Sequence, residues 1–276
     1  MSALRRKVAA IVFAVAALSG PAMAQTTECD RLAVLTSDPD RVGDGVRPEQ
    51  IAAHAPAAVT ACTEALKAAG GTRRFMTGLG LAYFHLGQFG EAMAWFQQAA
   101  ALGSSTAMNG IGVLHAHGKS VPEDHEKALD WFRKSADLGN ARAMVNLGIA
   151  YSKRGPARNI AQAMAWFRKA AVKGDREGTL HVGLLYYGAG NFGDDDWKTN
   201  DKEAVKWLST AAGMGSAEAM YHLGMMHLYG HGIRKNDAQA AIWFRRAVDA
   251  GSDGARIWLD TVCELNGRLS SCEKVD

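Results

Sequence analysis

The chain is 276 residues long, 48% hydrophobic and 21% charged, with 31 Lys+Arg against 28 Asp+Glu. Three of the basic residues and none of the acidic ones fall in residues 1–24, so the remainder is balanced at 28 of each. That balance, with no Lys/Arg block, excludes the electrostatic footprint of a nucleic-acid binder or of a protein held on an anionic membrane.

The N-terminus reads as an export signal. Arg5, Arg6 and Lys7 precede an apolar run from Val8 to Leu18, which Gly20 and Pro21 break. Ala22-Met23-Ala24 then supplies a small-x-small cleavage site before Gln25. This is the three-part pattern of a secretory signal peptide. The apolar run is about half the roughly 20 residues of a spanning helix. The sequence therefore predicts a signal peptide over 1–24, cleavage after Ala24, and a periplasmic or secreted protein with no membrane anchor.

Four cysteines follow: Cys29, Cys62, Cys263 and Cys272. An even number in an oxidising compartment permits a disulfide framework, in any of three connectivities. The cysteines cluster in pairs at the two ends of the chain, so Cys29–Cys62 and Cys263–Cys272 are the natural pairings. Metal ligation is the alternative, and no CxxC supports it. Residues 25–58, with Pro39, Gly43, Gly45, Pro48 and Pro56, are expected to be an irregular leader.

A repeat fills residues 59–262. Trp95, Trp131, Trp166, Trp207 and Trp243 recur at spacings of 36, 35, 41 and 36, the range of helical solenoids. Three residues before each Trp stands Ala, and eight residues after it stands Gly. Seven residues before it come Gln88, Asp124, Asn159, Asn200 and Asn236. Asp or Asn there caps a helix N-terminus, and the Gly ends the helix in a left-handed conformation. The Trp and its neighbours make the stripe of this helix, helix B, which is expected to bury the Trp between its own helix A and the next repeat. A helix A follows each Gly, with its stripe at +12, +13, +16, +17 and +20 from the Trp, for example Ala143, Met144, Leu147, Gly148 and Tyr151. One weaker unit, centred on Thr63, precedes the first Trp. Residues 263–276 form a C-terminal tail. The expected fold is all-α, a right-handed α-α superhelix of about six helix pairs.

Leu147-Gly148-x-x-Tyr151, then Ala163-x-x-Trp166-Phe167-x-x-Ala170-Ala171-x-x-Gly174, resembles the Sel-one-like repeat, a relative of the tetratricopeptide repeat. Leu223-Gly224 through Tyr229-Gly230-x-Gly232, with Ala240-x-x-Trp243-Phe244 and Gly251, does so again. The resemblance implies a superhelix that binds a protein or peptide as an adaptor or regulator. It also permits a periplasmic repressor of a sensor kinase, a cell-wall glycan-associated component and, through a cysteine-rich branch of the family, a β-lactam-binding enzyme. That branch carries paired cysteines in nearly every repeat, which this chain does not.

The motifs of chemistry are thin. There is no HExxH, P-loop or GxSxG, and no cofactor is implied. His227 and His231 are four apart, yet Gly230 and Gly232 put the second in a loop, and His115 and His227 occupy the repeat's Tyr position. Asp194-Asp195-Asp196 lacks the spaced ligands of a calcium loop. Ser271-x-x-Lys274 has no companion motif. The candidate binding surface is instead the side of helix A that the core stripe leaves free, positions +11, +14, +18, +21 and +22. Its outer members, Arg142, Lys153, Tyr187, Tyr221 and Tyr229, are the candidate partner-binding residues. Positions +14 and +18 are equally suited to packing neighbouring repeats.

Overall fold

The computed structural model describes residues 27–33, 35, 48–69, 72–153, 159–188 and 200–266. The signal sequence, the acidic triplet Asp194–Asp196, Ser271, Cys272 and Lys274 lie outside the described residues. A short helix, α1 (Glu28–Ala33), comes first. Helices B are α2 (Pro48–Ala69), α4 (Phe89–Ala101), α6 (His125–Asp137), α8 (Ile160–Val172), α10 (Asp201–Gly213) and α12 (Asp237–Asp249). Helices A are α3 (Arg73–His85), α5 (Ser105–Ala116), α7 (Ala141–Ser152), α9 (Arg176–Tyr187), α11 (Ala217–Tyr229) and α13 (Asp253–Asn266). They stack in consecutive antiparallel pairs as a right-handed α-α superhelix.

The expected irregular leader is partly helical. Glu28–Ala33 is α1, and α2 begins at Pro48, well before residue 59. Pro48 sits at a helix start, where its missing N–H costs nothing. Pro56 lies inside α2 and removes a helical hydrogen bond, and His54 just ahead of it has φ −119° and ψ 15°, a kink rather than a stop. Pro56 is therefore a bend within a continuing helix. Helix α1 is held down by the buried disulfide Cys29–Cys62. Asp30, also buried, accepts from the Thr27 backbone and hydroxyl (2.8 Å each) and pairs with Arg74 of α3 at 3.2 Å. Cys263 is also in a disulfide, and its expected partner Cys272 is outside the described residues.

The capping signals act as read. Asp124, Asn159, Asn200 and Asn236 each accept the backbone N–H three residues on, whereas Gln88 makes no such side-chain bond. Helices B end in left-handed glycines, Gly103, Gly139, Gly174, Gly215 and Gly251. The next residue in four repeats, Ser104, Asn140, Asp175 and Ser216, already caps the following helix A. The B-to-A connection is thus three residues, the last two a left-handed glycine and a cap. At the other junction a backbone clasp closes the loop. The N–H of Gln88, Asp124, Asn159, Asn200 and Asn236 donates to the carbonyl of Tyr83, His115, Tyr151, Tyr186 and His227 at 2.8–3.0 Å.

The core corrects one reading. The recurring Trp is not the buried anchor: Trp95, Trp131, Trp166, Trp207 and Trp243 are all half-buried. The next residue is buried instead, as Phe96, Phe132, Phe167, Leu208 and Phe244. Each of these side chains lies over a glycine of the preceding helix A: Phe96 on Gly80, Phe132 on Gly112, Phe167 on Gly148, Leu208 on Gly183 and Phe244 on Gly224. A Cβ on Gly148 would sit 2.5 Å from the Phe167 ring. The Leu-Gly pair of helix A is therefore a socket for the helix B that follows, and A-then-B is the tight unit. The Trp reaches back to the preceding repeat: Trp95 packs on the cluster around Phe75 and the disulfide, and Trp131 on the Phe96 cluster. Lys134, Lys169 and Arg246 cover the solvent faces of Trp131, Trp166 and Trp243.

Candidate functional site

Helices A form the inner wall of the superhelix. They touch across repeat boundaries, α3 with α5 and α7 with α9, and the side on which successive elements crowd is the concave side of a curved stack. Their side chains connect: Asn146 Nδ2 donates to Asn109 Oδ1 (2.8 Å), and Arg142 pairs with Glu177 (2.5 Å). The candidate surface divides by depth. At +14, Thr77, Val145 and Leu180 are buried in the seams between neighbours, so this row is mainly packing. At +18, Leu81, Val113, Ile149, Leu184 and Met225 are half-buried, one apolar side chain per repeat along the inner wall.

The five candidate residues do not form one site. Arg142, on the first turn of α7, is engaged by Glu177 of α9. Lys153 is exposed at the C-cap of the same helix. The three tyrosines, by contrast, meet at the C-terminal end of the array. Tyr187 on α9 stands edge-on to His222 (5.9 Å) and to His231 (5.8 Å). Tyr221 contacts Phe244 (6.0 Å), and Tyr229, 53% exposed, faces both His231 (6.1 Å) and Trp258 of α13 (6.4 Å). Asp201, at the start of α10, lies 3.5 Å from His231.

Burial sets the protonation of this cluster. Desolvation lowers His222 to about 4, leaving it neutral at physiological pH, and its Nδ1 is buried without a hydrogen-bond partner. Burial, then the charges of Asp201, Tyr221 and Tyr229, raises the Tyr187 phenol. His181, stacked on Phe167 at 4.6 Å, is also lowered by burial. Glu218, one turn before Tyr221 and His222, is raised by burial and then by Glu177. A cavity of about 660 Å³ at the N-terminal ends of α9 and α11 is lined by Arg176, Glu177, His181, Ser216 and Glu218, with Gln50 from α2.

The candidate set omitted His222, His231, Asp201 and Trp258. His222 had a legible signal: position +15 reads Gly78, Gly110, Asn146, His181, His222, growing along the array. Gly78 must be small because it abuts both disulfide sulfurs, and Gly110 because it abuts the Phe96 ring. His227 and His231 are placed apart, the first half-buried on α11 and the second in the loop against Asp201. Among the described residues no group of three or more His, Cys, Asp or Glu side chains is placed to hold a metal ion.

The Sel1 repeat matches at residues 105–140, 141–175, 181–216 and 217–252, and a tetratricopeptide repeat at 52–107. The chain belongs to the Sel1 repeat family. Each full Sel1 match opens on helix A or within it and closes after helix B, the unit that the Phe-on-Gly socket defines. A Sel1 repeat protein from Oxalobacter formigenes superposes with a TM-score of 0.57 at 28% identity, over 71% of this chain and 78% of that one. The protein c5321, a protective antigen present in uropathogenic Escherichia coli strains, gives a TM-score of 0.60 at 25% identity, over 79% of this chain. The chain spans only 52% of that protein's length. A Sel1 repeat protein from Klebsiella pneumoniae, 21% identical, shares the fold with a TM-score of 0.52, over 74% of this chain and 98% of that one. No curated protein matches the chain. Sel1 repeat proteins are protein-interaction modules, typically non-enzymatic scaffolds. Among the described residues no helix is long and apolar enough to cross a membrane.

Proposed function

We propose that this Sel1 repeat protein is an exported interaction module of the periplasm, which holds a segment of a partner protein along the inner wall of its helices A. The observation that carries the reading is the contrast between two rows of the same helices. Socket positions are fixed as glycine, while the half-buried row Leu81, Val113, Ile149, Leu184 and Met225 and its flanking residues change from repeat to repeat. The half-buried row leaves one apolar side chain per repeat open along the inner wall, a ledge on which an extended or helical segment can lie. Export is supported by the signal pattern of residues 1–24 and by the buried Cys29–Cys62 bridge, which suits an oxidising compartment.

Arg142, Lys153, Tyr187, Tyr221 and Tyr229 are the residues proposed to contact the partner. Photo-crosslinking side chains at Lys153 and at Tyr229 should trap the same envelope protein, and one at Gln98, exposed on α4, should trap none. Cross-links from Gln98 alone would place the binding surface on the outside and end the reading.

A further inference from the structure

Several rings that reach solvent on this protein carry a cation of its own chain over one face. Lys134 lies over Trp131 at 4.6 Å, Lys169 over Trp166 at 3.9 Å and Arg246 over Trp243 at 4.9 Å, each three residues along its own helix. Lys119 lies over Phe89 at 5.3 Å and Arg168 over Tyr186 at 5.8 Å. The cluster of Tyr187, Tyr221, Tyr229 and Trp258 groups four rings without such cover. Among the described residues none of its four rings has a Lys or Arg over it. Their ring neighbours are one another, Phe244 and the imidazoles of His222 and His231. Of the two basic residues of the adjoining loop, Lys235 is turned to Asp237 at 3.8 Å and Arg234 is exposed.

Two carboxylates lie beside the cluster. Asp201 flanks His231, and Glu218 lies one helical turn from Tyr221 on α11. Of the basic residues of the inner wall, Arg176 belongs to the cavity at the opposite end of α9, and Lys153 stands exposed at the C-cap of α7. Aromatic faces carry the negative end of the ring quadrupole, so rings grouped beside a carboxylate attract a cation and give an anion nothing. His222, neutral and half-buried, offers no positive charge of its own.

We infer that the Tyr187, Tyr221, Tyr229 and Trp258 cluster, with Asp201 beside it, receives a cationic side chain of the partner segment, arginine before lysine. Arginine is favoured because its planar guanidinium stacks on a ring while still donating to a carboxylate. The inference rests on the inner-wall reading above and names the partner chemistry at one end of that wall.

The probe is a fluorescein-labelled (Gly-Arg)4 peptide, compared with the same peptide carrying citrulline, which keeps the shape and removes the charge, and with (Gly-Glu)4. Binding to the full mature chain is followed by anisotropy at low salt. The arginine peptide is expected to bind, and the citrulline and glutamate peptides to bind at least threefold more weakly. Tyr229→Phe should keep that affinity, because the ring and not the hydroxyl supplies the attraction. Tyr229→Ala and Asp201→Asn should each lose roughly three- to tenfold. Tyr229 is exposed, so its loss leaves the fold intact, which the melting curve of Tyr229→Ala checks. Equal binding of the arginine and citrulline peptides, or full affinity in Tyr229→Ala, overturns the inference. If Lys153 still cross-links the envelope partner in that case, the inner-wall reading survives without a cation site. Arginine-dependent binding lost in Tyr229→Ala, with no cross-link from the inner wall, keeps the cation site and ends the wider reading.

Discussion

At the scale of single residues, glycine and its covering ring decide more than the conspicuous tryptophan. Gly148→Ala should lower stability although alanine favours a helix by about 1 kcal/mol over glycine. The new methyl would meet the Phe167 ring at 2.5 Å in a fully buried site, and such overpacking costs roughly 1–3 kcal/mol or more. Phe167→Ala should cost about 3–5 kcal/mol and Trp166→Ala clearly less, since Trp166 is half-buried. Thermal melting of the three variants gives the order; a Trp166 variant worse than the Phe167 one would contradict the socket. His222 supplies a pH dependence. Its value of about 4 in the folded chain lies below the ordinary 6.5, so the unfolded chain binds the proton first. The contribution is complete above pH 6.5 and lost as the pH falls towards 4, up to about 3 kcal/mol. His222→Leu should therefore show a shallower loss of melting temperature between pH 7 and 4.5 than the parent, and parallel curves would count against this burial.

Helices are the scale at which the sequence was most readable. A cap and a left-handed glycine are local devices, and Asp124, Asn159, Asn200, Asn236 and the five glycines act where their spacing put them. Which residue of the adjacent Trp-Phe pair turns inward was not readable, because both lie on one apolar stripe and only the glycine of another helix selects the smaller ring. The same limit hid α1: six residues have no periodicity to detect, and a distant disulfide and Arg74 hold them. In the binding surface, the shared rows of helix A followed from helical geometry. The partners His231, Asp201 and Trp258 come from a loop and two other helices, so only packing brings them to the tyrosines. The caps also give a paired test. Asn159→Ala should cost about 1 kcal/mol, whereas Gln88→Asn should gain several tenths at the one helix B start of the five whose residue makes no side-chain cap bond. Chemical denaturation reads both, and a destabilised Gln88 variant would show that this start needs the glutamine for another reason.

Over the whole molecule, stability is a sum over neighbours, so damage at one end stays near that end. The Cys29–Cys62 bridge closes a separation of 33 residues, and its removal should cost about 2–4 kcal/mol. Hydrogen exchange on Cys29→Ser/Cys62→Ser should show lost protection in α1 to α3 and near-parent protection in α9 to α12. Uniform loss along the chain would mean that the stack unfolds as one unit.

The two junctions of each repeat also differ in what they let the chain become. The B-to-A turn admits no change of length, since its glycine and the cap behind it are adjacent. The clasp at the other junction fixes only the two ends of a loop. Its hydrogen bond is the same from Tyr83 to Gln88 as from Tyr186 to Asn200, although far more chain lies between the second pair. Foreign sequence spliced between Tyr187 and Asn200, even an entire folded domain, can therefore ride on the array without shifting a helix. One extra residue between Gly139 and Asn140 would put every later repeat out of step. Each repeat carries a port open to new cargo beside a hinge that is locked.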